Sequence, residues 1–75
     1  MELAGNIYRL RAARGMSQEE LAAALGVSRQ SVSKWETGAA TPELDKVAAL
    51  AALFGVTMDE LVLGEARTAQ ETPAE

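Results

Sequence analysis

The chain has 75 residues, of which 48 per cent are hydrophobic, enough for one small core and too few for a second. It contains no cysteine and no histidine, which excludes disulfide staples, the usual nitrogen and sulfur ligands of structural zinc, and thiol- or imidazole-based catalysis. A formal charge of −4 counts against a polyanionic partner, because phosphates are bound by Lys and Arg.

The first predicted helix is carried by Leu3, Ile7 and Leu10, apolar at i, i+4 and i+7, in a run of Ala and Arg that Gly15 stops. Its opening residues lack the basic region and apolar run of a signal peptide, and no stretch approaches the ~20 apolar residues of a membrane span. A cytoplasmic location is expected. Ser17 followed by Glu20 reads as a capping box, with Met16 as its hydrophobic staple, so a second helix starts there and runs to about Leu25. Gly26 supplies the left-handed residue that ends it, and Ser28 offers the next N-cap almost at once. The third helix has Val32 and Trp35 as inward residues and stops at Gly38.

Thr41 and Pro42 read as an N-cap followed by proline at the first helical position. The fourth helix then has the stripe Leu44, Val47, Leu50, Ala51 and Phe54, closed by Gly55. Thr57 with Glu60 opens a short fifth helix that buries Leu61. From residue 65 onward the apolar period vanishes, so 1–64 is one domain and 65–75 a disordered tail or the start of a linker.

Charge is distributed unevenly over these elements. Residues 5–36 hold Arg9, Arg11, Arg14, Arg29 and Lys34 against Glu19, Glu20 and Glu36, whereas 37–64 hold Lys46 against Glu43, Asp45, Asp59 and Glu60. A basic face backed by an acidic one would orient the molecule on a polyanion, so the net charge is a weak objection. The carboxylate pairs Glu19 with Glu20 and Asp59 with Glu60 lie in helix first turns and point in different directions. They are helix-start charges, not an acid/base pair.

The informative constellation spans Gln18 to Trp35. Ala22 is small where two helices must cross, Gly26 makes the turn, and Leu21, Leu25, Val27, Val32 and Trp35 form one inner face. That leaves Ser28, Arg29, Gln30, Ser33 and Lys34 outside, a hydrogen-bonding surface suited to base edges in a major groove. The same residues could equally be a solvated polar face. Trp35, Met16, Met58 and Phe54 are expected to be core.

The segments MSQEELAAALGVSRQSVSKWETG and TPELDKVAALAALFGVTMDEL, in this order and spacing, resemble the phage repressor and Cro-like family of helix-turn-helix regulators, also called the xenobiotic-response-element family. The resemblance implies an all-α, compact five-helix, lambda-repressor-like DNA-binding domain with its helix-turn-helix at 17–36. It further implies a bacterial or phage transcriptional regulator of the repressing kind that binds a pseudo-palindromic operator in double-stranded DNA as a homodimer. By the same resemblance Arg29, Gln30 and Lys34 contact bases, Ser28 and Ser33 contact bases or phosphate, and Gln18 and Thr37 contact the backbone. Arg11 and Arg14 are further phosphate candidates, although Arg11 also matches a position that pairs with Glu36 to join the first helix to the third. Arg9 and Arg14 could also be ordinary surface residues. No cofactor or metal is implied, and no enzymatic activity.

Two further expectations follow. Many relatives carry Lys or Arg after the third helix, where Gly38, Ala39 and Ala40 stand here, so salt dependence should be shallow. Val56, Leu61 and Leu63 are the apolar residues that a second subunit could cover. The competing reading is a helical protein-binding module, such as an antitoxin or anti-repressor, which would need apolar anchors on the outer face of the third helix.

Overall fold

The computed structural model describes residues 3–64, so residues 1–2 and the expected tail at 65–75 lie outside the described residues. The described residues form five helices and no strand: α1 (Leu3–Ala13), α2 (Gln18–Leu25), α3 (Arg29–Thr37), α4 (Leu44–Phe54) and α5 (Met58–Leu63).

One local device starts three of them. Gly15-Met16-Ser17, Gly26-Val27-Ser28 and Gly55-Val56-Thr57 each place glycine, an apolar residue and a hydroxyl residue between two helix ends. The apolar residue's N–H reaches back five positions, from Met16 to Arg11 O (3.1 Å), Val27 to Ala22 O (3.0 Å) and Val56 to Ala51 O (3.0 Å). This satisfies carbonyls that a helix end leaves open and turns the apolar side chain toward the core. The hydroxyl then caps the next helix: Ser17 accepts from Glu20 N at 3.0 Å, Ser28 from Ser31 N at 3.1 Å and Thr57 from Glu60 N at 3.0 Å. Glu20 and Glu60 complete capping boxes by accepting the N–H of Ser17 and Thr57, both at 2.8 Å. Each such cap contributes about 1 kcal/mol.

Every helix sends one side chain to the centre. Ile7, Leu21, Val32, Leu50 and Leu61 are all 0 % exposed, and Leu3, Ala22, Trp35, Val47, Ala51 and Phe54 enclose them. α3 packs on α1 and α2, while α5 packs on α1 and α4. α3 is therefore held by its inner face from two sides.

Four expectations are corrected. Thr41 and Pro42 do not open α4: the chain stays extended through Glu43 (φ −73°, ψ 164°), which makes no side-chain cap, and Leu44 is the first helical residue. Pro42 is itself buried and shares a shallow cavity of about 170 Å³ with Leu3, Trp35 and Ala40. The proline thus fills space at this end, and Leu44, in the overhanging first turn, is 73 % exposed. Met58, expected in the core, sits at the first position of α5 and is also exposed, whereas Met16 packs as expected. Leu61 is in the core, as the pattern of the fifth helix predicts and against its expected place at a subunit interface; Leu63 is exposed and Val56 half-buried.

Sequence reasoning passed over Asn6, which is buried on the apolar stripe of α1. Its Nδ2 donates to Leu61 O at 2.8 Å, while its Oδ1 accepts from Arg9 Nη2 at 2.8 Å. A polar residue in register with Leu3, Ile7 and Leu10 was the available signal. It closes the last turn of α5, whose free carbonyls no side chain of α5 reaches.

Candidate nucleic-acid interface

The turn between α2 and α3 is set by Gly26, at φ 72° and ψ 32°. An L side chain in that region costs about 1 to 2 kcal/mol, and glycine removes the cost. Ala22 on α2 is buried at 4 % exposure, and a larger side chain there would overpack the core beneath the helix pair. With Val32 and Trp35 anchored inward, the opposite face of α3 projects from the domain. Ser28, Arg29, Gln30 and Lys34 are exposed on it and Ser33 is half-buried.

A chain of hydrogen bonds runs from the interior to this face. Arg11, at the end of α1, donates from Nε to Glu36 Oε2 at 2.6 Å and from Nη2 to Glu36 Oε1 at 3.1 Å. Its Nη1 donates to Met16 O at 2.7 Å. Gln18 Nε2 donates to Glu36 Oε1 at 3.0 Å, and Gln18 Oε1 accepts from Arg29 Nη1 at 3.2 Å. The side chains of Arg11 and Glu36 are only 12 % and 5 % exposed. Hydrogen bonding to Glu36 raises the Arg11 pKa above its ordinary value, aided by the Glu36 and Tyr8 charges and opposed by desolvation. The guanidinium also lies 5.3 Å from the Tyr8 ring centroid, a cation–π distance. Every buried side-chain N or O among the described residues has a partner.

The phosphate candidates separate accordingly. Gln18 is half-buried at the first position of α2 and keeps one amide N–H beyond the bond to Glu36. Thr37 is exposed; its hydroxyl donates to Lys34 O at 3.2 Å and accepts from Ala39 N at 3.4 Å. Arg14 is exposed, with Nη2 3.8 Å from where a Cβ on Gly55 would lie, at the end of α4. Arg11 is committed to Glu36 and Met16, which makes it a support for the interface, not a hand on it. Arg9 bonds Asn6 and, at 3.5 Å, Gly64 O, placing its charge at the negative end of α5.

The geometry defines a turn-linked helix pair that presents a polar second helix. The model of the helix-turn-helix family matches residues 7–61. Among similar proteins, an HTH-type transcriptional activator, BcrR of Enterococcus faecalis, is 40 % identical over 87 % of this chain and 32 % of its own length. The cryptic phage CTXphi transcriptional repressor RstR of Vibrio cholerae is 40 % identical over 71 % of this chain and 48 % of its own. An uncharacterized HTH-type transcriptional regulator of Methanocaldococcus jannaschii, MJ0272, is 38 % identical over 73 % of this chain and 83 % of its own. The chain belongs to the phage repressor and Cro-like helix-turn-helix family of DNA-binding transcriptional regulators. The chain spans about a third of the length of BcrR and about half of that of RstR.

Proposed function

We propose that this chain is a sequence-specific double-stranded DNA-binding module of a transcriptional regulator, acting as a repressor, with α3 laid in the major groove. The exposed face of α3 carries the reading: Arg29, Gln30 and Lys34 stand free of the core with Ser28 and Ser33 beside them, while Val32 and Trp35 lock the opposite side. Arg29 suits a guanine edge, where a guanidinium can make two bonds, and Gln30 suits adenine. Gln18, Thr37 and Arg14 contact backbone phosphates and set the register, Gln18 with help from the positive end of α2.

A single copy reads few base pairs, so two copies bind a pseudo-palindromic operator with their α3 helices in successive major grooves. Of the apolar residues expected at the contact between copies, Leu63, 45 % exposed, and the half-buried Val56 remain accessible. The protein acts in the cytoplasm, on the nucleoid, and works by binding, not catalysis. Among the described residues, no helix is long and apolar enough to cross a membrane.

The test is selection of bound sequences from a random duplex library, followed by titration of the winner against scrambled DNA. Enrichment of a two-fold symmetric motif is expected. Absence of any enrichment from a folded protein would remove the reading. Sedimentation with the winning duplex should show two protein copies per site; one copy per site would remove the dimer.

A further inference from the structure

We propose that Glu36 determines base specificity indirectly, by fixing the side-chain amide of Gln18 so that its oxygen holds Arg29 in the reading position. The proposal rests on Arg29 being a base-reading residue. A carboxylate can only accept hydrogen bonds and a guanidinium can only donate them. Gln18 lies between one of each, with Nε2 3.0 Å from Glu36 Oε1 and Oε1 3.2 Å from Arg29 Nη1. Turning the amide over would set oxygen against carboxylate and N–H against guanidinium, so only one orientation satisfies both neighbours. Glu36 cannot move to relax this choice, because its two oxygens are bound by Arg11 at 2.6 and 3.1 Å and its side chain is 5 % exposed.

Donors and acceptors therefore alternate in one direction from the interior to the surface: Arg11, Glu36, Gln18, Arg29. Arg29 is a long side chain that would otherwise sample many rotamers in solvent, and holding it beforehand lowers the entropy lost when it meets its base. Gln18 and Glu36 are positioning residues in this scheme. The phosphate contact assigned to Gln18 survives, since its second amide N–H is still free, but replacing Gln18 should not weaken all sequences alike.

The experiment measures the affinity ratio between the selected operator and the same operator changed at the base pair read by Arg29. Gln18→Met keeps the shape and leaves Glu36 both of its Arg11 bonds, so the fold is retained. It should lower that ratio about threefold to tenfold, the net worth of one hydrogen bond, and do so only when Arg29 is present. In an Arg29→Ala background the ratio should not change further. Equal weakening on both duplexes, with an unchanged ratio, would assign Gln18 to phosphate alone and overturn the proposal. A wild-type protein that selects no motif, or an Arg29→Ala variant that keeps the full ratio, would instead overturn the reading of Arg29 beneath it. Glu36→Gln, which can offer Gln18 either a donor or an acceptor, should lower the ratio in the same direction. A folded Glu36→Gln protein with the full ratio would remove Glu36 from the scheme.

Discussion

Arg29 and Arg11 are both arginines within reach of one glutamine network, yet they are expected to fail differently when replaced. Arg29 is exposed and, among the described residues, holds only Gln18, so Arg29→Ala should leave the unfolding midpoint almost unchanged. It should cost about 1 to 3 kcal/mol of operator binding and relax the preference at one base pair, as read by titrating operators changed one position at a time. Arg11 is the sole charged partner of Glu36 within the described residues. Arg11→Met would leave a carboxylate buried with only Gln18 to satisfy it, at about 3 to 5 kcal/mol of stability, a large part of the about 5 to 15 kcal/mol typical of a whole domain. The double variant Arg11→Met with Glu36→Leu should recover most of that stability in urea unfolding, because two apolar side chains replace two charges. It should not recover operator discrimination, because Gln18 then has no acceptor to orient it. Recovery of both properties would mean that the pair serves only to hold α1 on α3.

At the scale of elements, the α2–α3 turn carries a direct test. Gly26→Ala meets no atom within 4 Å of the added Cβ, so its whole cost comes from the backbone at φ +72°. The expected loss is about 1 to 2 kcal/mol in unfolding free energy, together with weaker binding if the strain opens the angle between the two helices. Gly5→Ala is the control: it also meets open space but lies within α1, where alanine should stabilise by about 0.5 to 1 kcal/mol. The local signals that set this turn were legible because they are short-range: glycine, an apolar residue and a capping hydroxyl act within six residues. The start of α4 was not legible, since Thr41-Pro42 forms a good cap on local grounds while burial of Pro42 near Leu3 and Trp35 depends on distant residues. The same holds for Asn6, whose partner Leu61 O is 55 residues away, and for Gln18, whose role between Glu36 and Arg29 depends on how α2 and α3 meet. Periodicity identified the exposed face of α3 because a helix with two inward anchors leaves its other side outward. It did not identify Leu44 and Met58 as exposed, because a first-turn residue can keep the period and still overhang the core.

At the scale of the whole molecule, salt dependence decides how the negative chain meets a polyanion. Residues 5–36 contain five bases, but Arg11 is bound to Glu36 and Arg9 to Asn6 and Gly64 O, so two of the five are occupied internally. Arg14, Arg29 and Lys34 remain exposed, and the segment after α3, Gly38 to Ala40, adds no charge. Counting these three alone, two copies on one operator would bring six cations, and at about −0.9 per neutralised phosphate they would contribute about −5 to the slope of log affinity against log salt. Base contacts by Arg29 and Lys34 would make it shallower still. The acidic residues Glu43, Asp45, Asp59 and Glu60 are carried by α4 and α5 and the residues leading into them, and their repulsion from the duplex should penalise any approach except the one that presents α3. Adding charge to the segment after α3 therefore separates affinity from specificity. Ala39→Lys should steepen the slope by about 1 to 2 for the dimer and tighten operator and scrambled duplex alike. An Ala39→Lys protein that bound only its operator more tightly would mean that this segment reads bases, and the division between α3 and the phosphate contacts would have to be redrawn.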